Sequence, residues 1–482
     1  ATFLQATTSA QVVVVSGETG SGKTTQCPNF ILEDFAERGK GGECNIICTQ
    51  PRRLAAIGVA ERVCYERGEE PGGPVGYAVR LESRSSARTR LLFCTTGVLL
   101  QRLNDDPLLS SITHLIIDEA HERNLQTDFL LTVLRELLPK RPELRLVLMS
   151  ATLERGLFVD YFSKGVGLSS SAPSVPTVQI SGRTHPVQIR FLHEAEAAIK
   201  GRAPQGKGGK AVSENSNGDG PSDGAPAVDA DLQAWILQHH GPGARTGSTP
   251  PVVISPATDR KPDYRLLGDL VAAILKGDKG PEGPAGVDNG AILVFLPGAM
   301  EIDKALSQIR SHPGIGQRAW LLPLHGQMPT HRQRAVFKAA PAGQRKVILS
   351  TNIAETSITV DDVTHVIDVG QVKESRYDPR SRMGVLATCF VSKAAAKQRA
   401  GRAGRVRPGV CWRLFSRDFF ERQLPEYTLC EMRRTSLEEL VLQLRLLELG
   451  NDPGEFLQRA PEPPSRASLD AALQTLVQIG AL

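Results

Sequence analysis

The sequence predicts an α/β fold with two tandem domains, each built on a parallel sheet. Residues 12–15 are four consecutive valines, an apolar β-branched run that is too short for a helix and typical of a buried strand. The run leads into the glycine-rich segment GETGSGKT over 17–24 and then into an amphipathic stretch. A second apolar run, AILVFL over 291–296, opens another region in which predicted strands and helices alternate. Two such regions predict two α/β domains.

The first domain is predicted to span 1–192. The helix that follows the glycine-rich segment is expected to end at Gly39. Further strands are predicted over 45–48, 75–79, 91–94, 114–117 and 145–149, with helices over 54–65, 98–103 and 125–138. This alternation is typical of a parallel sheet covered by helices.

Residues 193–288 are predicted to be a linker that carries an insertion. The stretch 201–227 consists largely of Gly, Pro, Ser, Asn and Asp, a composition that predicts disorder because it cannot bury a core. A similar stretch covers 241–251. An apolar piece over 232–237 separates the two stretches, and a helix is predicted over 264–275.

The second domain is predicted to span 289–429, and its strands after the first are expected over 320–324, 346–350 and 363–368. Two alternating segments on either side of DPRSR predict a β-hairpin over about 372–391. The remaining residues, 430–482, contain two helical patterns over 436–442 and 468–479.

Composition limits the class of protein. The chain has 482 residues, of which 40% are hydrophobic and 23% charged, as in ordinary globular proteins, and its net charge of +5 only weakly favours a polyanionic partner. Eight cysteines without a C-x-x-C or a zinc-like spacing indicate reduced thiols of an intracellular protein, in the cytoplasm or nucleus. Location in an organelle also stays open, because the chain begins with Ala rather than Met and a targeting segment could precede it. No apolar run is long enough to predict a membrane partner.

The glycine-rich segment has the spacing of a phosphate-binding loop. Its glycines let several backbone N–H groups point inward, and the following helix adds its positive N-terminal end. Lys23 is expected to reach the β- and γ-phosphates of a nucleotide, and the Thr24 hydroxyl to hold Mg²⁺. The predicted nucleotide-binding residues of this loop are Gly17, Glu18, Thr19, Gly20, Ser21, Gly22, Lys23, Thr24 and Thr25.

The strand over 114–117 ends in two acids, Asp118 and Glu119. Asp118 is expected to hold Mg²⁺ through water, and Glu119 to orient and deprotonate the attacking water, close to the metal. Solvated acids at a strand end are the alternative, which the upstream phosphate-binding loop disfavours.

The run Asp118-Glu119-Ala120-His121, with GETGSGKTT upstream, resembles the DEAH/RHA branch of superfamily 2 RNA helicases. The other motifs of that family occur in order: TQPRRLAA over 49–56, TTGVLL over 95–100, SAT over 150–152, FLPG over 295–298, STNIAETS over 350–357 and QRAGRAGR over 398–405. The resemblance implies two tandem RecA-like (P-loop) domains plus a partial C-terminal winged-helix domain over 430–482. In the family, a ratchet domain and an OB-fold follow.

The last motif places Arg402 and Arg405 one helical turn apart, so both are expected on one helix face, from which they can meet the γ-phosphate across the domain interface. Arg399 is interpreted as structural. The resemblance adds further roles. It implies that Gln398 senses the γ-phosphate or its water and is linked to His121. It also implies that Arg62 and Phe337 clamp the adenine, that Asp361 lies near the ribose, and that Ser150 and Thr152 couple the nucleotide to the nucleic acid.

Nucleic-acid contacts are expected from small polar or cationic side chains at strand ends, which suit phosphate and 2′-OH groups and do not read bases. These residues are Arg52, Arg53, Thr95, Thr96, Thr351 and Asn352.

The sequence therefore predicts an ATP-dependent RNA helicase core that uses ATP and Mg²⁺ and binds RNA mainly through its backbone, without sequence preference. Other NTPs stay open as substrates, because stacking on the adenine ring makes no contact with the base edges that distinguish one base from another. Movement from 3′ to 5′ follows by family analogy, and protein activators are conceivable through domains absent here. Two alternatives stay open: a DNA-directed translocase, and a nucleotide-gated RNA clamp that does not unwind.

Overall fold

The computed structural model describes residues 2–18, 20–150, 155–163, 175–182, 185–201, 261–277, 290–356, 360–378, 383–447 and 452–482. The disorder predicted over 201–227 and 241–251, and the apolar piece over 232–237, lie outside these ranges except for Gly201.

The first sheet has eight strands: β1 (Val12–Gly17), β2 (Ile46–Gln50), β3 (Val75–Val79), β4 (Glu82–Arg84), β5 (Leu91–Thr95), β6 (His114–Ile117), β7 (Arg145–Ser150) and β8 (Thr177–Ile180). Their order is β4-β3-β5-β2-β6-β7-β1-β8, and every pair except β3–β4 is parallel. All six strands predicted for this domain are present. The two that were not predicted, β4 and β8, are short edge strands without an apolar run.

Helices cover both faces of this sheet. They are α1 (Thr2–Ser9), α2 (Lys23–Glu37), α3 (Arg53–Arg67), α4 (Thr96–Asp105), α5 (Leu125–Leu137) and α6 (Arg155–Ser163). One face packs against α1, α2 and α3, and the other packs against α4, α5 and α6.

The second sheet has six parallel strands: β9 (Val187–Arg190), β10 (Ala291–Phe295), β11 (Ala319–Leu324), β12 (Arg345–Ser350), β13 (Val363–Asp368) and β16 (Gly409–Arg413). Their order is β11-β12-β10-β13-β16-β9. The predicted hairpin is present as β14 (Gln371–Asp378) and β15 (Met383–Phe390), which pair antiparallel. The helices of this region are α7 (Leu192–Ile199), α8 (Tyr264–Leu275), α9 (Ala299–Ser311), α10 (Thr330–Gln333), α11 (Lys393–Gly401) and α12 (Arg417–Arg422).

The structure corrects the domain boundary predicted at 192. Strand β9 pairs with β16, so the division between the two sheets lies before 187. The flanks of the predicted linker also belong to the second domain, because Ala195 of α7 and Leu267 of α8 pack with Ile292 in one core. The sequence did not reveal this, because β9 (VQIR) has no apolar run and its partner is distant along the chain.

The described part of residues 430–482 contains the helices α13 (Glu438–Leu446), α14 (Pro453–Leu457) and α15 (Arg466–Gln478), joined by turns and loops. These helices share one hydrophobic core with the first domain. Phe456 makes an edge-to-face contact with Phe129 of α5, with ring centroids 6.1 Å apart. The winged-helix assignment stays a prediction. None of the helices within the described ranges is both long and apolar enough to cross a membrane.

The docking of the C-terminal helices predicts a large effect of Phe456→Ala. The ring is 5% exposed, so its loss leaves a cavity against α5 and should lower the free energy of unfolding by about 3–5 kcal/mol. Chemical denaturation measures the change. Val477→Ala on α15, where the side chain is 61% exposed, is the matched control and should change stability by less than about 0.5 kcal/mol. Equal effects of the two substitutions would contradict the docking.

Candidate active site

The phosphate-binding loop joins the buried strand β1 to the helix α2. Gly20 and Gly22 have φ angles of 90° and 81°, a left-handed conformation that side chains other than glycine adopt only with strain. Gly22 precedes the first residue of α2, which is Lys23, and the Lys23 side chain is only 3% exposed. The loop therefore places the N-terminus of α2 and the buried Lys23 cation side by side, where both can attract a negatively charged group. Thr19 lies outside the described residues.

The two acids follow β6 at the same edge of the sheet. Asp118 is held from both sides, because the Gln50 side-chain amide donates to its Oδ2 at 2.8 Å and the backbone N–H of Glu119 donates to its Oδ1 at 2.8 Å. Burial raises the pKa of Asp118, and the neighbouring charge of Glu119 raises it further, against the opposing effect of Lys23. Sequence reasoning missed Gln50, although it ends β2 beside β6 and so had to lie at this edge.

Glu119 is surrounded by positive charge. Burial by itself raises the pKa of its carboxyl. The neighbouring groups Lys23, His121, Arg405 and Arg52 lower it, and together they outweigh burial, so the net pKa is lower than usual and the group is ionised near neutral pH. An ionised carboxylate in this position can accept a proton from water.

The backbone of residues 118–123, here called the DEAH turn, is strained. Glu119 and Arg123 have φ angles of 51° and 48° and bracket a single 3₁₀ turn, Ala120–Glu122. A left-handed non-glycine residue costs of order 1–3 kcal/mol and persists only where its surroundings hold it. Here the Arg123 guanidinium makes two hydrogen bonds to Asp128, of 2.7 and 2.9 Å, in a buried position.

The donor set fits a magnesium ion bound together with phosphates. Thr24, Asp118 and Glu119 offer oxygen atoms, which Mg²⁺ prefers, and the buried Oε2 of Glu119 has no hydrogen-bond partner within the described part of the chain. No group of three or more His, Cys, Asp or Glu side chains that could hold a metal occurs among the described residues. Mg²⁺ usually binds through one or two carboxylates plus substrate phosphates, which agrees with this sparse set.

Arg405 of the second domain faces these acids. Arg405 interacts electrostatically with Glu119 and with Asp361, and burial lowers the pKa of Arg405 to about 10, so it remains cationic. Arg402 is 2% exposed and donates a hydrogen bond to the Glu355 carbonyl. The cationic group of the second domain is therefore brought to the carboxylates of the first.

One detail of the prediction is corrected. Arg402 and Arg405 do not share an α-helical face, because α11 ends at Gly401 and a 3₁₀ turn, Arg402–Gly404, follows. Gly404 lies against the backbone, where a Cβ atom would be 2.5 Å from the His185 carbonyl oxygen. The close approach requires glycine at 404 and keeps the turn tight.

Other predicted residues of the nucleotide site fall into two groups. Gln398 and His121 line one cavity of about 290 Å³ between the domains. Arg62 on α3 and Phe337, which is 53% exposed at the end of a 3₁₀ turn, lie in elements joined across the interface by the Glu61–Arg334 ion pair of 2.8 Å. Asp361 acts electrostatically on Arg62 as well as on Arg405, so it lies within electrostatic range of both arginines.

Arg399 has the structural position that the sequence suggests. It is 1% exposed, its guanidinium lies 3.0 Å from Glu355 and 2.8 Å from Asp368, and it stacks over the Phe295 ring with its carbon 4.9 Å from the centroid. These contacts hold the last motif against β13 and β10.

The predicted RNA contacts differ in their accessibility. Arg52 reaches across the interface and donates to the Asn352 carbonyl at 2.8 Å, whereas Arg53 is 47% exposed near Glu82. Thr95 is partly exposed and Thr351 accepts a hydrogen bond from its own turn. Thr96 is only 4% exposed, so its side chain cannot make the predicted contact without rearrangement. Ser150 is fully buried, and Thr152 lies outside the described residues.

A further contact between the two domains was not predicted from the sequence. Thr356 of the second domain donates a hydrogen bond to the Glu122 carboxylate in the DEAH turn. Glu122 also lies 3.6 Å from Arg52. The motifs that contain Arg52, Glu122 and Thr356 therefore meet at one point, which spacing along the chain could not reveal.

Comparisons with known proteins agree with this geometry. Residues 1–157 match the DEAD/DEAH box helicase family, and residues 285–407 match the helicase conserved C-terminal domain. The chain is 43% identical to the DExH-box ATP-dependent RNA helicase DExH1 of Arabidopsis thaliana, over 100% of this chain and 46% of the relative. It is 41% identical to the ATP-dependent DNA/RNA helicase DHX36 of Bos taurus, over 98% of this chain and 45% of that relative.

Among solved structures, the DEAH/RHA helicase HrpB of Escherichia coli aligns with a TM-score of 0.74 and 30% identity, over 100% of this chain and 50% of that one. The chain thus spans about half the length of the proteins it matches. Its two sheets are tandem RecA-like helicase domains. By sequence, fold and site, the chain belongs to the DEAH/RHA family of helicases.

Proposed function

We propose that the chain is the motor core of an ATP-dependent RNA helicase, which couples NTP hydrolysis to 3′-to-5′ movement on RNA or to remodelling of RNA–protein complexes. The observation that carries the proposal is the meeting of Lys23 and Glu119 in one domain with Arg405 of the other. A nucleotide bound by the loop would contact both domains, so its γ-phosphate would favour their closure and its hydrolysis would release them.

Each side chain has a defined part in this reaction. The loop N–H groups and Lys23 bind the phosphates, and Glu119 accepts the proton of the attacking water. Arg402 and Arg405 stabilise the charge that develops on the transferred phosphoryl group. Thr24 and Asp118, with Glu119 nearby, would hold Mg²⁺, which when bound neutralises phosphate charge. Gln398 and His121 are proposed to sense the γ-phosphate.

The remaining nucleotide contacts concern the base and the ribose. Arg62 and Phe337 are proposed to hold the adenine from opposite domains, because the Glu61–Arg334 ion pair joins their elements across the interface. Asp361, which acts electrostatically on Arg62, is proposed to lie near the ribose. A stack between a guanidinium and a ring does not read base edges, so NTPs other than ATP should also serve.

RNA is proposed as the nucleic acid, contacted mainly through its backbone by Arg52, Arg53, Thr95, Thr351 and Asn352. Two relatives are named as an RNA helicase and a DNA/RNA helicase, so a DNA-directed translocase is the rival reading. A nucleotide-gated RNA clamp without unwinding is the second rival. The eight cysteines are all buried free thiols, which supports action inside the cell, in the cytoplasm or nucleus.

Lys23→Ala should abolish ATP turnover, with a fall in kcat of at least about a hundredfold, because the variant loses the buried cation that faces the phosphates. Steady-state phosphate release in the presence of single-stranded RNA measures it. Lys393→Ala, which removes a partly exposed ion pair with Glu426, is the control and should retain the wild-type rate. RNA-stimulated turnover retained by the Lys23→Ala protein would defeat the assignment.

Arg405→Ala should lower kcat by about a thousandfold or more, as expected for an arginine that acts in the transition state. Nucleotide affinity should change far less, because the loop and Lys23 remain in the first domain. Fluorescent-nucleotide binding and single-turnover hydrolysis separate the two quantities. The control is Arg422→Ala, a surface arginine of the same domain with 80% side-chain exposure. Parallel losses in affinity and rate would argue for a structural role of Arg405.

The choice between RNA and DNA is tested by measuring ATP turnover in the presence of single-stranded RNA and of single-stranded DNA with the same base sequence. RNA should stimulate more strongly, and RNA affinity should fall steeply with salt because several phosphates are contacted. Arg52→Ala should reduce the slope of log affinity against log salt by about 0.7, the value for one single-strand phosphate. Equal stimulation by DNA would favour the translocase, and an unchanged slope would exclude Arg52 from the contact surface.

A further inference from the structure

Residues 431–434 form a short turn that contacts both the DEAH turn and the β-hairpin, and it is here called the 431–434 bridge. The Glu431 backbone N–H donates to the Arg123 carbonyl at 3.1 Å, and the Glu431 Oε2 accepts from the Leu125 backbone N–H at 2.9 Å. Leu125 is the first residue of α5, where N–H groups lack partners within the helix. Glu431 therefore supports the strained end of the DEAH turn from outside.

The other end of the bridge holds the hairpin. Arg434 donates from Nη1 to the Ser375 carbonyl of β14 at 2.8 Å, and its own carbonyl accepts from the Tyr377 backbone N–H at 2.7 Å. The Nη2 of Arg434 lies 3.3 Å from Oε1 of Glu431. One carboxylate thus joins the N-terminus of α5, through Oε2, to the arginine that holds β14, through Oε1.

The two ends of the bridge contact different domains. Met432, inside the bridge, is fully buried in the hydrophobic core of the first domain, so the bridge is fixed to that domain. The hairpin is fixed to the second domain, because Lys373 of β14 pairs with Glu301 of α9 at 2.8 and 3.0 Å. Any rotation of one domain against the other must therefore act on the contacts that Arg434 makes with β14.

We infer that Glu431 and Arg434 are positioning residues that couple the nucleotide state of the DEAH turn to the position of the β-hairpin. The inference rests on the proposed function, since it requires that nucleotide binding changes the relation of the two domains. Nucleotide at the DEAH turn shifts Arg123 and Leu125, Glu431 carries the shift to Arg434, and Arg434 moves β14. Coupling of this kind is a free energy shared between two sites and is reciprocal.

The test measures RNA affinity of the intact protein with and without a non-hydrolysable ATP analogue, and the ratio of the two Kd values is the coupling factor. Wild type should have a coupling factor of roughly 5 to 150. Arg434→Ala removes the side-chain contacts but leaves the backbone hydrogen bond from Tyr377, so the turn stays docked. Its coupling factor should fall to within about twofold of one, while its RNA affinity without nucleotide and its basal ATP turnover change less than about twofold.

Arg433→Ala is the matched control, because Arg433 lies in the same turn with an exposed side chain that has no hydrogen bond or ion pair within the described residues. Its coupling factor should equal that of wild type. Glu431→Gln is the second variant, and it keeps the size of the side chain. Leu125 and Arg434 donate to different oxygens of Glu431, so in either orientation of the glutamine amide its NH₂ group faces one of these two donors and that contact is lost. Its coupling factor should also fall.

The outcomes separate the inference from the proposed function. A side chain that only stabilises the fold would change both Kd values by the same factor, so an unchanged coupling factor in Arg434→Ala and Glu431→Gln overturns the inference alone. A wild-type protein whose ATP turnover is not stimulated by RNA overturns the proposed function, and the inference with it. A coupling factor lost in both variants and kept in Arg433→Ala supports the bridge.

Discussion

The structure depends on an opposition of charge across the interface between two parallel sheets. In the first sheet the polar residues follow the carboxyl ends of strands, and those ends meet at one edge. The phosphate-binding loop after β1 and the acids after β6 therefore lie together in the first domain. The arginines come from the second domain. Neither domain holds a complete site, so the chemistry depends on how the domains face each other.

A buried ion-pair network keeps the arginine-bearing segment in place. Arg399 is enclosed with Glu355 and Asp368, and taking such charges out of water costs several kcal/mol each unless all of them are paired. Glu355 also accepts from Arg402 through its carbonyl, so the same residue orients the segment at two points. Removing one partner would leave the others buried and uncompensated, which makes the network intolerant of substitution and the position of the segment specific.

The C-terminal helices are part of the packed core of the first domain rather than an appendage. Their apolar side chains complete the core on one face of the first sheet, and Arg123 of the strained DEAH turn pairs with Glu462 at 3.1 Å. Strain stored in that turn is thus held by contacts from outside the first domain as well as by Asp128. A turn held in this way can respond to changes in the C-terminal region, and a change at the nucleotide can reach that region in return.

The sequence by itself determined most of the buried strands, the phosphate-binding loop, the two acids and the family, because these are local patterns of apolar periodicity, glycine spacing and short motifs. Gln50 donates to Asp118 because β2 lies beside β6 in the sheet, so strand order brought into the site a residue to which the sequence analysis gave no role. Only the tertiary structure decided that β9 joins the second sheet, that Thr96 is buried, and that Arg402 begins a 3₁₀ turn. It also brought Glu431 to Leu125 across 306 positions of the chain. Local patterns reflect which face of an element is buried, whereas such contacts depend on how distant elements pack, and no short stretch of sequence carries that information.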